Sequence, residues 1–196
     1  MKIFLASASP RRKELLSQLI PNFEVISCDV EELHDADIST ELLVEKNALR
    51  KVMCAFNQLR LDQLLIISAD TVIKTSDGVL LGKPKDYQEA ISFLQMLSGK
   101  SHFVCSGVGI LLQRHTQRFL ELFSETSKLV FNSLSKSQIE SYVTTFKPLD
   151  KAGAYGIQEL PQGFLKSLEG SMNNVIGLPT EKLRVVLSPY LSYIRE

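Results

Sequence analysis

Arg11, Arg12 and Lys13 form the densest run of cations in the chain, directly after Ser9-Pro10, a dipeptide that starts helices. The serine caps a free backbone N–H, and proline tolerates the first helical position because its missing N–H costs nothing there. Positive charge in a first turn opposes the helix dipole by a few tenths to about one kcal/mol per charge. An anion resolves the conflict. A helix N-terminus after a strand presents free N–H groups, and two guanidiniums that fork onto oxygens complete a phosphate site. Arginines that splay into solvent are an equally open reading of this segment taken alone. Loss of Arg12 is expected to leave stability unchanged or slightly raised, since it removes a cation from an unfavourable helix end.

Asp70 stands in "IISADTVI", at the end of the longest apolar strand. Burying a carboxylate there unpaired is expensive, so it reads as a metal ligand or a proton acceptor, or else as a cap on the following turn. Lys83 in "GKPK" lies on a Gly/Pro-constrained loop that can fix an ammonium over a phosphate; the competing reading is an exposed loop lysine. Other chemistries lack their residues. There is no GxxxxGK[ST] loop, and "SGVGILL" has two glycines of a dinucleotide fingerprint without the third. No Ser or Cys sits in a nucleophile elbow. His34, His102 and His115 lack partners at metal spacing.

Composition bounds the rest. The 196 residues suit one sizeable domain or two small lobes, and the 44% hydrophobic and 22% charged fractions are those of a globular protein. Twenty-two Lys plus Arg balance twenty-two Asp plus Glu, which excludes the basic field of a nucleic-acid binder. Cys28, Cys54 and Cys105 are odd in number and far apart, so buried thiols in a reducing cytoplasm are expected rather than disulfides or zinc. No apolar run approaches the roughly 18 residues of a membrane span, and "KIFLASASP" is too short for a signal peptide.

The elements that must position these residues alternate. "KIFLA" and "FEVIS" read as strands, with the Ser9-Pro10 helix between them and the acidic loop "CDVEELHDADIS" after them. A helix is expected from Ser39 or Thr40 to Asn57, with Leu42, Leu49, Val52, Met53 and Phe56 on its buried face. Lys51 lies away from that face, beside Val44, Ala48 and Ala55. "LLIISADTVI" is apolar enough for a strand buried on both faces. A turn at Ser76-Asp77-Gly78 returns the chain through "VLLGKPK", and Asp86 with Glu89 predicts a capping box for a helix that stops at Gly99. "HFVCSGVGILL" and "SKLVFNSL" are further strands, and Ser135 with Gln138 caps "KSQIESYVTTF". A Gly-rich "AGAYGIQ" loop, a hairpin around Glu169-Gly170 and a helix from Thr180 complete the chain. The fold class is α/β, with a mixed central sheet flanked by helices.

Six segments occur in series across nearly the whole length: "LASASPRRKELL", "ELLVEKNALRKV", "SADTVI", "LGKPKDYQEA", "PLDKAGAYGIQ" and "GSMNNVIGLP". Together they resemble the Maf family of nucleoside triphosphate pyrophosphatases. The resemblance implies a two-lobed fold similar to inosine triphosphate pyrophosphatases, with the active site in the cleft between lobes and residues 1–196 as a single Maf-like domain. It implies hydrolysis between the α- and β-phosphates, giving a nucleoside monophosphate and pyrophosphate, with Mg²⁺ or Mn²⁺. It is also consistent with a homodimer, a cytoplasmic location, and no nucleic-acid or membrane partner.

Position by position, Ser7, Arg11 and Arg12 match the family's phosphate-binding motif, Lys51 its helix lysine, Asp70 its proton acceptor and Lys83 its loop lysine. Glu32 falls where the family has an acidic residue near the metal, which Asp70 also serves. A subgroup acting on dTTP and UTP carries "SPRR", "ADT" and "YGIQ", all present here, so that Arg11, Thr71 and Gln158 are its specificity positions. Glu159 departs from that subgroup's usual Gly, and Met172 lies where an aromatic or another residue is frequent. A rival reading on the same scaffold is a nucleotide-binding regulator of division or septum formation with secondary catalysis. Retention of Asp70 and Lys83 argues against it, because a sensor needs only the phosphate cradle.

Overall fold

The computed structural model describes residues 1–35 and 37–190. Strand β1 (Lys2–Ala6) leads through the Ser7–Ser9 loop into helix α1 (Pro10–Leu19), capped by Ser9 as its sequence predicts. The short β2 (Glu24–Val25) and the long β3 (Gln63–Thr75) lie parallel to β1, with Lys2 opposite Leu64 and Ala6 opposite Ser68. Helix α2 (Thr40–Leu59) is capped by Ser39. After β4 (Leu80–Leu81) come α3 (Tyr87–Leu97), β5 (Ser101–Arg114), β6 (Gln117–Phe131), α4 (Lys136–Phe146), β7 (Leu165–Glu169), α5 (Met172–Ile176) and α6 (Thr180–Leu187). The sheet has seven strands in the order β2-β1-β3-β5-β6-β7, with β4 antiparallel to β3. It is the mixed sheet of the α/β reading. No helix among the described residues is long and apolar enough to cross a membrane.

Several details differ from expectation. Strand β3 continues to Thr75, so Asp70 sits inside the strand, and a role in capping a following turn is ruled out. The strand tolerates the carboxylate because partners meet it within the protein, as described below. Strand β6 begins at Gln117, well before "SKLVFNSL"; its first five residues are exposed and carry no burial signal. Leu165–Glu169 pairs with β6, so Glu169-Gly170 ends a strand and leads into α5 rather than closing a hairpin. Asp86 accepts from Glu89 N, but the Glu89 carboxylate reaches Lys85 N, one residue outside a reciprocal box. The Ser135–Gln138 box is complete.

The buried face of α2 is the largest correction. Leu42 is 42% exposed and Leu49 half-buried, while Leu43, Val44, Asn47, Ala48, Lys51, Val52 and Ala55 are buried. The cause lies on β5. A Cβ placed on Gly107 would lie 2.4 Å from the Val44 carbonyl carbon, and one on Gly109 would lie 3.0 Å from Val52 Cγ2. Helix backbone meets strand backbone there, so small residues, not leucines, must face the sheet. Ser68 Oγ donates to Ala48 O at 2.7 Å, closing the same contact.

The chain divides into two compact units. The first holds Met1–Asp70, Ser106–Glu125 and the chain from Gly177, around a core that includes Phe4, Val52, Leu64, Ile66 and Leu111. The second holds Thr71–Cys105 and Thr126–Ile176, around Leu94, Val104, Leu129, Phe131, Tyr142 and Phe164.

Candidate active site

Within the first unit, α2 carries Asn47 and Lys51 at i, i+4 spacing, which puts both on one face of the helix. Strand β3 carries Asp70, and the loop after β2 carries Glu32. Lys51 Nζ donates to Asp70 Oδ1 at 2.6 Å and to Glu32 Oε1 at 2.7 Å. Lys51 is 9% exposed and Asp70 3%, so an unpaired charge here would be costly and two acids share the ammonium. Asn47 Nδ2 donates to Asp70 Oδ2 at 2.9 Å and to Leu33 O at 3.2 Å, while its Oδ1 accepts from Leu33 N at 2.7 Å. One amide thus holds Asp70 and anchors the loop bearing Glu32. Burial pushes the Asp70 carboxyl up, but the Lys51 ammonium, Arg12 and the Asn47 amide together pull it below the ordinary carboxylate range. Asp70 is therefore ionised at neutral pH.

Arg12 is braced by the same neighbourhood. Its Nε donates to Gly177 O at 2.9 Å and its Nη1 to Ala69 O at 2.8 Å and Ser7 Oγ at 3.3 Å. Burial lowers the guanidinium's pKa, Asp70 and Glu32 raise it, and Arg11 lowers it again. An arginine keeps its charge regardless, so Arg12 is a fixed cation that also pins the backbone beside Asp70. This overturns the expectation that its removal is neutral for stability. The first-turn cation is offset by carbonyl dipoles and two acids. Ser7 is buried, and its Oγ also accepts from Ser9 N at 3.3 Å, which shapes the loop into α1. Arg11, half-buried, lies next in that first turn.

The arrangement can hold anionic oxygens with Lys51 and the arginine-bearing helix start, and it can orient a water on an ionised carboxylate. A profile of the family described as Maf-like protein matches residues 2–190.

The chain belongs to the Maf family.

Its Maf relatives are close. It is 41% identical over 186 residues to a protein of Alkaliphilus oremlandii named dTTP/UTP pyrophosphatase, covering 95% of this chain and 94% of that one. A Thermosipho africanus protein of the same name is 43% identical over 187 residues, covering 95% and 92%. Among solved structures, the Staphylococcus aureus Ham1 protein matches with a TM-score of 0.56 at 16% identity, over 97% of this chain and all of that one. That likeness concerns the fold.

The remaining Maf-motif residues belong to the second unit. Thr71, directly after Asp70, is half-buried. Lys83 is exposed on the loop after β4, where Gly82 O accepts from Gly153 N at 2.9 Å. Gln158 is exposed in a 3-10 turn, Ile157–Glu159. Glu159 brings its carboxylate 3.3 Å from the buried Lys151 ammonium, which also bonds Asp150 Oδ1 at 2.9 Å. The added acid in this Maf chain therefore has a local partner and ties the turn down. Sequence reasoning missed Asn47 and the two β5 glycines. Asn47 was legible only as the residue four before Lys51, and the glycines only as "GVG" in an apolar strand.

Proposed function

We propose that this chain hydrolyses nucleoside triphosphates, dTTP and UTP first, between the α- and β-phosphates to the monophosphate and pyrophosphate. The observation that carries the reading is the buried Lys51–Asp70 ion pair, joined by the half-buried Glu32 and braced by Arg12. It sits in a chain whose relatives of the same length are named dTTP/UTP pyrophosphatases. In this reading Lys51 is the exchangeable part. A triphosphate competes for its ammonium, releasing Asp70 from its shortest contact and weakening the pull that holds its carboxyl low. Asp70 then orients the attacking water and accepts its proton, a role typically worth about 10²–10⁴-fold. Arg11 and Arg12 supply positive charge to the phosphates at the start of α1 and the Ser7 hydroxyl a hydrogen bond, with Arg12 acting through the part of its guanidinium not bonded to Gly177 O, Ala69 O and Ser7 Oγ. Lys83 is assigned to phosphate binding, and Arg11, Thr71 and Gln158 to base selection.

Glu32 and Asp70 supply hard oxygen donors of the kind Mg²⁺ or Mn²⁺ takes. Among the described residues no group of three or more His, Cys, Asp or Glu could hold an ion. Two carboxylates completed by phosphate oxygens and water fit a metal that arrives with its substrate, and it would polarise the phosphoryl oxygens. The proposed setting is the cytoplasm, with residues 1–196 acting as one functional domain, as the 2–190 family match supports. The test is a panel of nucleoside triphosphates with Mg²⁺ or Mn²⁺, assayed for product identity. Pyrophosphate with dTMP or UMP is expected; orthophosphate with a diphosphate would overturn the proposed bond.

A further inference from the structure

We infer that Asn47 is a positioning residue of the reaction: its amide keeps the Asp70 carboxylate in place once the triphosphate has drawn Lys51 away. The inference rests on the pyrophosphatase reading given above. Asn47 is 1% exposed, on the face of α2 that otherwise buries Leu43, Val44, Ala48 and Val52. A buried amide is costly unless it is hydrogen-bonded, and a leucine of similar size would carry no such cost. Its bonds go to the site. Nδ2 donates to Asp70 Oδ2 at 2.9 Å and to Leu33 O at 3.2 Å, and Oδ1 accepts from Leu33 N at 2.7 Å. These partners fix the direction of the amide. Turned over, it would set its oxygen against Asp70 Oδ2 and Leu33 O, and its NH₂ against the Leu33 N–H.

An aspartate carboxylate turns easily about χ2, a broad torsion without sharp rotamers, so hydrogen bonds must fix its plane. Lys51 Nζ holds Oδ1 and Asn47 Nδ2 holds Oδ2. The two holds differ in kind. A triphosphate competes for the ammonium by charge, but it has no such pull on a neutral amide that donates into the protein. With Lys51 drawn away, Oδ1 is released to the attacking water while Asn47 keeps Oδ2 where it was. The same amide bonds both backbone groups of Leu33, next to Glu32, so one side chain sets Asp70 and the Glu32 loop together. Removing a group that orients a ligating or reacting side chain typically costs about 10–100-fold. A misplacement of about 1 Å has a cost of the same order.

The full-length protein is assayed for pyrophosphate release from dTTP with Mg²⁺, and native-state hydrogen exchange is followed at the Leu33 amide without nucleotide. Asn47→Ala should lower kcat about 10- to 100-fold. KM should change by less than about threefold, the pattern of an interaction that serves the reaction and not binding. The Leu33 N–H should lose its protection in this variant. Asn47→Asp keeps the volume and the acceptor for Leu33 N, so that amide should stay protected. It cannot donate to Asp70, so kcat should fall at least as far, and it carries the test where the alanine variant does not fold. Val52→Ala opens a cavity in the apolar core on the same helix and controls for lost stability. Its kcat should stay within about threefold of the wild type. Added to Asp70→Asn, Asn47→Ala should lower kcat by less than about threefold more, because a positioning residue acts through the group it positions. Near-normal kcat in the Asn47 variants, an equal loss in Val52→Ala, or a full further loss beyond Asp70→Asn would overturn the inference. So would a Leu33 amide that exchanges freely in the wild type. A wild type that releases no pyrophosphate refutes the pyrophosphatase reading and this role with it, whereas an active wild type with indifferent Asn47 variants refutes the role alone.

Discussion

Asp70→Asn keeps shape and volume, but it breaks a chain of directional hydrogen bonds. Both Asp70 oxygens are acceptors, Oδ1 for Lys51 Nζ and Oδ2 for Asn47 Nδ2. An asparagine offers one oxygen and one NH₂, so one of these contacts must become donor against donor. Asn47 cannot relieve it by flipping, because its Oδ1 and Nδ2 are committed to Leu33 N and Leu33 O. Loss of a buried pair partner costs about 3–5 kcal/mol, and Glu32, which keeps Lys51 partly paired, reduces this to roughly 2–4 kcal/mol. For a chain of this size that is a drop of about 5–15 °C in melting temperature. Turnover should fall by about 10²–10⁴-fold, while nucleotide affinity holds or tightens as the site gains net positive charge. Urea unfolding, pyrophosphate release and calorimetric dTTP binding read the three separately. Lys51→Met supplies the internal control, since adding Asp70→Asn to it should cost less stability than Asp70→Asn alone. An unaltered melting temperature with near-normal turnover would refute the hydrogen-bond argument and the assignment of Asp70 together.

Further outcomes follow from the surroundings of four residues. Arg12→Ala strips donors from Gly177 O, Ala69 O and Ser7 Oγ and should cost about 2–4 kcal/mol; Arg12→Lys should recover little, because one ammonium cannot span a planar fork, and urea unfolding checks both. His102 is buried against Tyr155 Oη at 2.8 Å, and burial lowers its pKa from 6.5 to about 4. The unfolded chain therefore binds the proton more readily, so stability is fully present above pH 6.5 and lost as pH falls from 6.5 toward 4. The loss is about 3 kcal/mol, and melting temperature against pH should be flatter in that window for His102→Phe. Gly107→Ala forces a Cβ into α2 backbone and should cost about 1–3 kcal/mol or more. Gly82→Ala, with nothing within 4 Å, should be close to neutral in the same thermal assay.

Local rules were legible wherever one segment decides its own structure. Ser9, Ser39 and Ser135 cap the helices their neighbours predict, because capping needs only residues three apart. Runs such as Leu64–Ile67 must be buried strand, since their apolar surface has no other place to go. The exposed start of β6 escaped because strand pairing uses backbone groups common to every residue and leaves no side-chain signature. The face of α2 escaped for a different reason: which side is buried depends on the partner. Two glycines some sixty residues downstream present a surface only small side chains can approach.

The candidate site divides along the same line. By itself the sequence determined which residue types were available: cations at a capped helix start, an aspartate in an apolar strand, and lysines in a helix and a loop. Their order along the chain is that of the Maf motifs. Only tertiary structure decided their states. Lys51 is buried because α2 docks by its small-residue face, and Asp70 is ionised because that docking delivers Lys51 and Asn47 to it. Arg12 braces the backbone because Ala69 and Gly177 converge on its guanidinium. Charge state and hydrogen-bond direction are properties of distances between segments remote in sequence, and only folding sets those distances.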